Sequence, residues 1–502
     1  MIVTENPVPT TLEVCGIRCD FRGQHVTSEE YTSLLRTAED RNVLGSFRRM
    51  MDGEVVNLSE KRAALHTLLR SSNSPLPQYS SVLVERNRML EEALQKPSLI
   101  LRPRELLSIT QAKFLCKRLF RVLLKSFLDF ADKVRNGAWR GFSGKRILNV
   151  INIGIGGSET GVRAVYHALV KGDETIRLHF LSAADGIRLD RVLGQCDPRS
   201  TLVVVSSKTF TTRETLANAR SVDAWFAKHG IVGERRHHHI VCVSANENAA
   251  DLMGVPQSNL FLYWKSIGGR FSVWGAVGLP LAIVFGREVF TDFLRGAEEM
   301  DLHTRNAPIE RNLAVMLALM SYRASENPKI SSRCVLPYDE RLREFIPWLQ
   351  QLEMESLGKP ADRDMSSRTG LSVWGACGND GQHSFYQWLR EGVACTAIDL
   401  ITCAECGHTH AELARSLNAN AVAQSQALLH REPPFYNLLT AFELSEISAK
   451  TLGALMALHE HKTTMLGTLY GINPFDQPGV ELGKKISIKV EEALAKDAMM
   501  GQ

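Results

Sequence analysis

Four apolar runs follow one another along the middle of the chain, and they constrain the fold more than any other feature of the sequence. They are rich in Val, Ile and Leu, largely lack the alternation of a half-exposed strand, and are separated by segments of helical periodicity. Such strands are typical of a parallel sheet covered by helices. We therefore predict strands over residues 147–153, 176–181, 202–205 and 240–243, with helices over 158–170 and 212–229.

A second, looser cycle of strands and helices follows a predicted helix over residues 311–323. Its strands are predicted over residues 334–337, 371–374 and 396–402. Its helices are predicted over residues 340–355, 382–391, 410–430 and 450–469. The first 110 or so residues are predicted to be mixed helix and loop, with a helical stretch over 63–69. The fold class is therefore α/β, in two halves.

The charge of the chain is nearly balanced, with 59 Lys and Arg against 55 Asp and Glu in 502 residues and a formal net charge of +4. This gives no sign of the basic surface that binds nucleic acid or an anionic membrane, so we expect neither partner. The start of the sequence has no signal-peptide pattern, and no uncharged stretch reaches the roughly 20 residues of a membrane span. Ten Cys are scattered without a disulfide framework. We expect a cytoplasmic protein.

A glycine-rich segment, NIGIGGSETG over residues 152–161, ends the first predicted strand and opens a helix. Glycines there let a ligand approach the backbone, and a helix N-terminus favours an anion such as phosphate. The segment is not a dinucleotide-binding motif, because that motif needs a glycine where the chain has Glu159. A tight turn without a ligand explains the glycines equally well.

A second polar segment, SSKTFTT over residues 206–212, follows another apolar strand. Its five hydroxyls and the Lys208 ammonium can bind a phosphate dianion without metal. In the alternative, Thr211 and Glu214 have the spacing of a capping box that merely completes the next helix. Two such segments after successive parallel strands should lie at the same edge of the sheet. We therefore predict a phosphorylated small molecule as the ligand.

Three further side chains could supply acid, base or electrostatic chemistry to such a site. Arg270 follows two glycines and could reach a carboxylate, a phosphate or an oxyanion, although an arginine in a turn is more often solvated. Glu353 and Glu355 lie late in a predicted helix and, being two residues apart, point to different faces. Only one of them can face a site, where a partly buried glutamate can act as a general base.

His383 and Lys484 are weaker candidates on the residues alone. His383 is predicted to begin a helix, a position that favours neutral imidazole, although a lone histidine is more often structural. From the composition of its segment alone, Lys484 would be a surface lysine. The segment CAECGHTH from Cys403 to His410 offers metal-binding side chains, but no second ligand pair lies nearby in sequence, so metal is the minor alternative.

These motifs together strongly resemble the glucose-6-phosphate isomerase family. The similarity extends in order through six segments: NIGIGGSETG, SSKTFTTRET, GGRFSVWGAVG, LPYDERLREFIPWLQQLEMESLGK, GNDGQHSFYQW and INPFDQPGVELGK. Weaker similarity begins at residues 51–66, so the resemblance covers nearly the whole chain. Two places depart from the family pattern. Leu357 stands where the family has Asn, and Asn379-Asp380 stands where the family has Thr-Asn.

The resemblance implies two sugar-isomerase (SIS) domains, each a mostly parallel sheet sandwiched by helices, in a homodimer. We expect an N-terminal helical segment over 1–110 packing on the second domain, a smaller domain over 111–290, a larger domain over 291–485 and a short helical tail over 486–502. The implied reaction interconverts glucose 6-phosphate and fructose 6-phosphate without metal or organic cofactor. Acceptance of mannose 6-phosphate stays open.

The resemblance also implies roles for individual residues. Glu355 matches the base that moves a proton between C2 and C1, and Arg270 matches the Arg that stabilises the enediolate. His383 and Lys484 match the pair that opens the sugar ring, with His383 reaching into the site of the other subunit. The loop matching Ser207, Lys208, Thr209 and Thr212 holds the phosphate. Further matched site residues are Gly157, Ser158, Glu214, Gln351 and Gln477.

Two classes of function compete. One is the isomerase, and the other is a sugar-phosphate-binding protein of the same fold that performs no turnover. A binding protein needs the phosphate loop but has no reason to retain Glu355, His383, Arg270 and Lys484 together. The presence of all four favours the enzyme.

Overall fold

The structure is a computed structural model that describes residues 8–71, 109–361, 368–430 and 436–480, together with five helical positions between 482 and 490. The strands are β1 Thr11–Val14, β2 Ile17–Asp20, β3 Val55–Asn57, β4 Arg62–Ala63, β5 Asn149–Ile153, β6 Arg177–Leu181, β7 Thr201–Ser206, β8 Ile240–Ser244, β9 Leu260–Leu262, β10 Ile330–Pro337, β11 Ser372–Gly375, β12 Cys395–Glu405 and β13 Leu438–Glu446.

The α-helices are α1 Ser28–Asp40, α2 Val43–Met51, α3 Ile109–Asn136, α4 Thr160–Leu169, α5 Gly186–Leu193, α6 Arg213–Lys228, α7 Ala249–Met253, α8 Leu279–Phe285, α9 Arg287–Asn306, α10 Leu313–Glu326, α11 Phe345–Leu357, α12 Gly378–Gln382, α13 Tyr386–Glu391, α14 Ala411–Leu429 and α15 Ala449–Tyr470.

The first sheet is built from the apolar runs that dominate the sequence. Among the described residues it has the order β6-β5-β7-β8-β9, and every pair is parallel. β5, β7 and β8 are buried along their whole length. The register pairs Ile153 with Val205, so the segments after β5 and β7 leave the sheet side by side. β9 was not predicted, since three residues are too few to show a pattern.

The second sheet has the order β1-β2-β13-β12-β10-β11 in the described part of the chain. β10 to β13 are parallel, whereas β1 and β2 join the edge of β13 as an antiparallel pair. The expectation of only helix and loop at the N-terminus is wrong here, because two strands of four residues each are too short to show a periodicity in the sequence. The α/β fold class, with mostly parallel sheets flanked by helices, is confirmed. The domain bounds at residues 110, 290 and 485 stay a prediction.

The α15 helix is the central element of the second half. It packs along α9 and contacts α10 and α11, and nearly all of its 22 residues are buried. At its C-terminus Gly471 adopts the left-handed conformation, with φ of 69°, that closes helices favourably. The chain then turns through residues 472–477 toward the end of α11. No helix in the described ranges is both long and apolar enough to cross a membrane.

Candidate active site

Arg270 forms the buried centre of the candidate site. It lies in a single 3-10 turn, Gly269–Phe271, and its side chain is 1% exposed. Its Nε donates to Ser356 Oγ at 2.6 Å, and its Nη2 donates to the backbone oxygens of Pro474 at 2.6 Å and Asp476 at 3.2 Å. Burial lowers the pKa of Arg270, a shift that the carboxylates of Glu355 and Asp476 oppose. The guanidinium is thus held by a rigid set of acceptors.

Glu355 on α11 faces this guanidinium. Its Oε1 lies 3.2 Å from Arg270 Nη1, and its Oε2 accepts a hydrogen bond of 2.9 Å from Gln351 Nε2. Gln351 is itself fixed, because its Oε1 accepts from Thr160 Oγ1 at 2.7 Å. Arg270 Nη1 also donates to Gln477 Oε1 at 3.1 Å. The Glu355 side chain is 24% exposed, so a ligand can reach an oriented carboxylate.

Glu353, two residues earlier on the same helix, lies in a different environment. Its carboxylate is buried, 2.8 Å from Arg333 Nη1 and 2.6 Å from Lys462 Nζ. Burial alone would raise the pKa of Glu353, but the charges of Arg333 and Lys462 hold it well below its usual value. Glu353 therefore remains ionised in the interior, and Glu355 is the glutamate of the pair that lies at the accessible site.

The glycine-rich turn after β5 packs against the turn that carries Arg270. A Cβ atom on Gly157 would lie 2.1 Å from the carbonyl carbon of Gly269, a distance that no side chain tolerates. Ser272 Oγ donates to the Gly157 oxygen at 3.2 Å. Glycine is therefore required at position 157 for the close approach of two backbones. The neighbouring Ser158 is partly exposed at the same place.

The segment after β7 forms a loop of hydroxyls beside the glycine-rich turn. Ser207 Oγ lies 3.2 Å from Thr212 Oγ1 and accepts from the Phe210 N–H at 3.1 Å. Lys208 Nζ donates to the Ile267 oxygen at 2.9 Å, which ties the loop to the segment before Gly268. Burial lowers the pKa of Lys208. Thr209 is exposed. The loop thus offers an ammonium and several hydroxyls to an anion.

The alternative interpretation of this segment as a capping box is wrong. The helix α6 has Thr212, not Thr211, as its N-cap, and Thr212 makes no side-chain capping hydrogen bond. Glu214 is exposed in the first turn of α6. In the described part of the chain no hydrogen bond or ion pair joins it to Arg270 or Glu355. The hydroxyls are therefore not needed to complete the helix.

His383 does not begin a helix, contrary to the sequence-based expectation. α12 ends at Gln382, His383 follows as its C-terminal cap, and α13 begins only at Tyr386. The argument for a neutral imidazole at a helix start is therefore wrong. The side chain is exposed, and among the described residues nothing links it to Arg270 or Glu355. Lys484 lies outside the described residues.

The cysteine and histidine segment at the end of β12 is not assembled as a metal site. Cys403 Sγ donates to the Glu405 oxygen at 3.0 Å, and Cys406 Sγ donates to the His408 oxygen at 3.3 Å. Across the residues that the structure describes, no three His, Cys, Asp or Glu side chains form a group that could hold a metal ion.

Three residues of the site had no role assigned to them from the sequence. Ser356 and the backbone around Asp476 seat Arg270, and Lys359 forms an ion pair of 2.7 Å with Asp476. Backbone carbonyls that act as acceptors leave no pattern in a sequence. The Lys359 ammonium and the Asp476 carboxylate are 117 positions apart in the sequence, so only the folded structure shows that they form a pair. Leu357 is buried, so an apolar residue suits its place.

Comparison with known proteins relates nearly the whole chain to one family. A family model described as phosphoglucose isomerase matches residues 117–434 and 438–502. A glucose-6-phosphate isomerase of Burkholderia multivorans is 38% identical over 524 residues, which cover 98% of this chain and 90% of the relative. The glucose-6-phosphate isomerase of Paraburkholderia phymatum is 37% identical over 519 residues, covering 97% of this chain and 89% of the relative.

A solved structure gives the same relationship. The crystal structure of a glucose-6-phosphate isomerase from Chlamydia trachomatis D/UW-3/Cx superposes with a TM-score of 0.78 and 28% sequence identity. The superposition covers 97% of this chain and 90% of the other.

Proposed function

Because the chain belongs to the phosphoglucose isomerase family and is an enzyme of that family, we propose that it interconverts glucose 6-phosphate and fructose 6-phosphate through an enediolate. The observation that carries this proposal is the contact between the Glu355 carboxylate and the Arg270 guanidinium. An aldose and a ketose interconvert when a proton next to the carbonyl is removed and returned one carbon away. The reaction needs a positioned base and a cation near the developing oxyanion.

Glu355 is the proposed base that carries the proton between C1 and C2. Its second oxygen is fixed by Gln351, so the carboxylate has one orientation toward a bound sugar. Arg270 is the proposed partner of the enediolate. Its remaining hydrogen bonds hold the guanidinium in place before substrate arrives, so little reorganisation is required when the negative charge develops.

The loop around Lys208 is the proposed phosphate site. Ser207, Thr209 and Thr212 supply hydroxyls beside the partly buried ammonium, and such charge-assisted hydrogen bonds favour a dianion. Gly157 and Ser158 are proposed to line the sugar between this loop and Glu355. Gln351, Gln477 and Glu214 complete the proposed set of binding residues. In the described chain, no hydrogen bond or ion pair joins Glu214 to Arg270 or Glu355.

Ring opening is proposed to use His383 and Lys484, as the resemblance implies. His383 is exposed, which suits a side chain that acts in the site of a second copy of this chain. We propose a homodimer for this reason. The proposed setting is the cytoplasm, in glycolysis and gluconeogenesis, and the proposed chemistry uses no metal or organic cofactor.

The experiment that tests this function is the conversion of fructose 6-phosphate by the purified protein in D₂O. An enediolate exchanges part of the transferred proton with solvent, so we expect glucose 6-phosphate that carries deuterium at C2 when analysed by mass spectrometry at low conversion. Turnover with no deuterium at C2 would contradict exchange of the transferred proton with solvent. Binding without turnover by the folded protein would favour the sugar-phosphate-binding protein.

A further inference from the structure

The carboxylate of Asp476 gathers three donors from separate parts of the chain. Its Oδ1 lies 2.7 Å from Lys359 Nζ. Its Oδ2 accepts from Ser59 Oγ at 2.5 Å and from Asn473 Nδ2 at 3.0 Å. The Lys359 and Asp476 side chains are only 12% and 16% exposed, so the ion pair is protected from solvent. Such a pair orders the backbone around it more strongly than a pair at the surface.

The same ion pair connects the two parts of the candidate site that bear the chemistry. Lys359 follows α11 and lies four residues after Glu355. Its Nζ also donates to the backbone oxygen of Asn473 at 2.5 Å. Asp476 lies in the turn after α15, whose backbone oxygens at Pro474 and Asp476 accept from Arg270. The Lys359–Asp476 ion pair thus joins the C-terminal end of α11, the helix of Glu355, to the turn whose backbone oxygens accept from Arg270.

We propose that Lys359 and Asp476 are positioning residues that hold the turn 473–477 against α11 and thereby fix Arg270 relative to Glu355. This inference rests on the proposed function. Neither side chain is required to touch the substrate, because both act through the carbonyls and the guanidinium that they order. A displacement of about 1 Å in such a group can lower a rate by roughly 100-fold.

The ionisation of Asp476 agrees with this role. Burial by itself would raise the pKa of Asp476, but hydrogen bonds from Lys359 and Ser59 lower it overall. The carboxylate is therefore charged at neutral pH, when it must attract Lys359. Ser59 lies in the β3–β4 hairpin. The N-terminal part of the chain therefore also helps to hold Asp476 in place.

The test compares kcat and KM for fructose 6-phosphate in the wild type, Lys359→Met, Asp476→Asn and the double variant. We expect each single variant to lower kcat by about 10- to 100-fold. KM should change by less than about threefold, because the phosphate loop is separate. The double variant should lose little more than either single variant, since both changes disrupt one unit. Lys450→Met is the matched control, because Lys450 at the start of α15 forms an ion pair of 2.8 Å with Glu299 on α9, away from the candidate site.

The outcomes separate this inference from the proposed function. No turnover in the wild type overturns the proposed function itself. An active wild type with unchanged kcat in a folded Lys359→Met variant overturns the positioning role, as do additive losses in the double variant or an equal loss in Lys450→Met. Circular dichroism establishes folding. If Lys359→Met does not fold, the nearly isosteric Asp476→Asn decides by the same kcat and KM criteria.

Discussion

The Oε1 atom of Glu355 lies 3.2 Å from the Nη1 atom of Arg270. The two side chains come from different elements, α11 and the turn after β9, and they meet beside the glycine-rich turn after β5. A base beside a fixed cation is the arrangement that proton transfer next to a carbonyl requires. The proposed chemistry therefore depends on how both groups are held.

Arg270→Lys should lower kcat by about 10²- to 10³-fold, the usual loss when a preorganised oxyanion donor is removed. Lysine keeps the charge but cannot supply the planar fork that bonds Ser356, Pro474 and Gln477 at once. Steady-state kinetics with fructose 6-phosphate measure the effect. Arg36→Lys, an exposed change on α1, is the control. Equal kcat in the wild type and Arg270→Lys would contradict the assigned role.

Lys208→Met should raise KM for fructose 6-phosphate by about 10- to 100-fold, because hydrogen bonds to a charged group contribute about 1.5–3 kcal/mol. The effect on kcat should be smaller, since the phosphate does not react. Lys228→Met, an exposed lysine at the end of α6, is the control. Binding of unphosphorylated fructose should be far weaker than that of fructose 6-phosphate in the wild type. Equal affinities would refute the phosphate loop.

Prolonged dialysis against a strong chelator should leave the turnover rate unchanged. The base, the cation and the phosphate-binding groups of the proposed mechanism are all side chains, and none requires a metal ion. Assays before and after dialysis, with metal analysis of the protein, measure the result. A loss of turnover that added divalent metal restores would contradict metal-free catalysis and direct attention back to Cys403 and His408.

Glu460 should make the stability of the protein decrease as the pH rises through 7. Burial raises its pKa to about 7 from an ordinary value of 4.5, while Arg70, whose Nη2 lies 2.7 Å from its Oε2, opposes the shift. The folded state therefore keeps a proton between about pH 4.5 and 7 that the unfolded state has lost. The stability that this proton contributes is complete below pH 4.5 and is lost as the folded carboxyl ionises.

Urea unfolding of the wild type and Glu460→Gln at pH 5.5 and 8 measures this effect. Glutamine resembles the protonated acid but does not titrate. The unfolding free energy of the wild type, relative to that of Glu460→Gln, should therefore be lower at pH 8 than at pH 5.5. Glu443→Gln, an exposed change on β13, should show no such difference. A gap between wild type and Glu460→Gln that is constant with pH would contradict the raised pKa.

The strands and the loops at their carboxyl ends could be predicted from sequence, because apolar periodicity is local. β5, β7 and β8 are confirmed within two residues at each end. The short edge strands β1 and β9 could not be predicted, since their position depends on pairing with distant strands rather than on their own residues. Likewise, the break between α12 and α13 at His383 falls inside one predicted helix, 382–391, whose sequence does not mark it.

The candidate site divides in the same way. The helix of Glu355 and the hydroxyl loop around Lys208 have local signals. On local pattern alone Arg270 would be a solvated turn residue, whereas the structure buries it among acceptors that lie 86 to 207 positions away. The partnership of Lys359 with Asp476 is likewise a product of the fold. Local sequence therefore indicates where Glu355 and Lys208 lie, but it does not indicate the distant groups that hold the site together.

The central claim is that Glu355 moves the proton during isomerisation. The most direct measurement is the rate of glucose 6-phosphate formation from fructose 6-phosphate, coupled to a dehydrogenase that reports the product, for the wild type and Glu355→Gln. Glu39→Gln, an exposed change on α1, serves as the control. We predict turnover by the wild type and the control, and a kcat at least about 100-fold lower in Glu355→Gln with substrate binding retained. Near-normal turnover in Glu355→Gln would contradict the account.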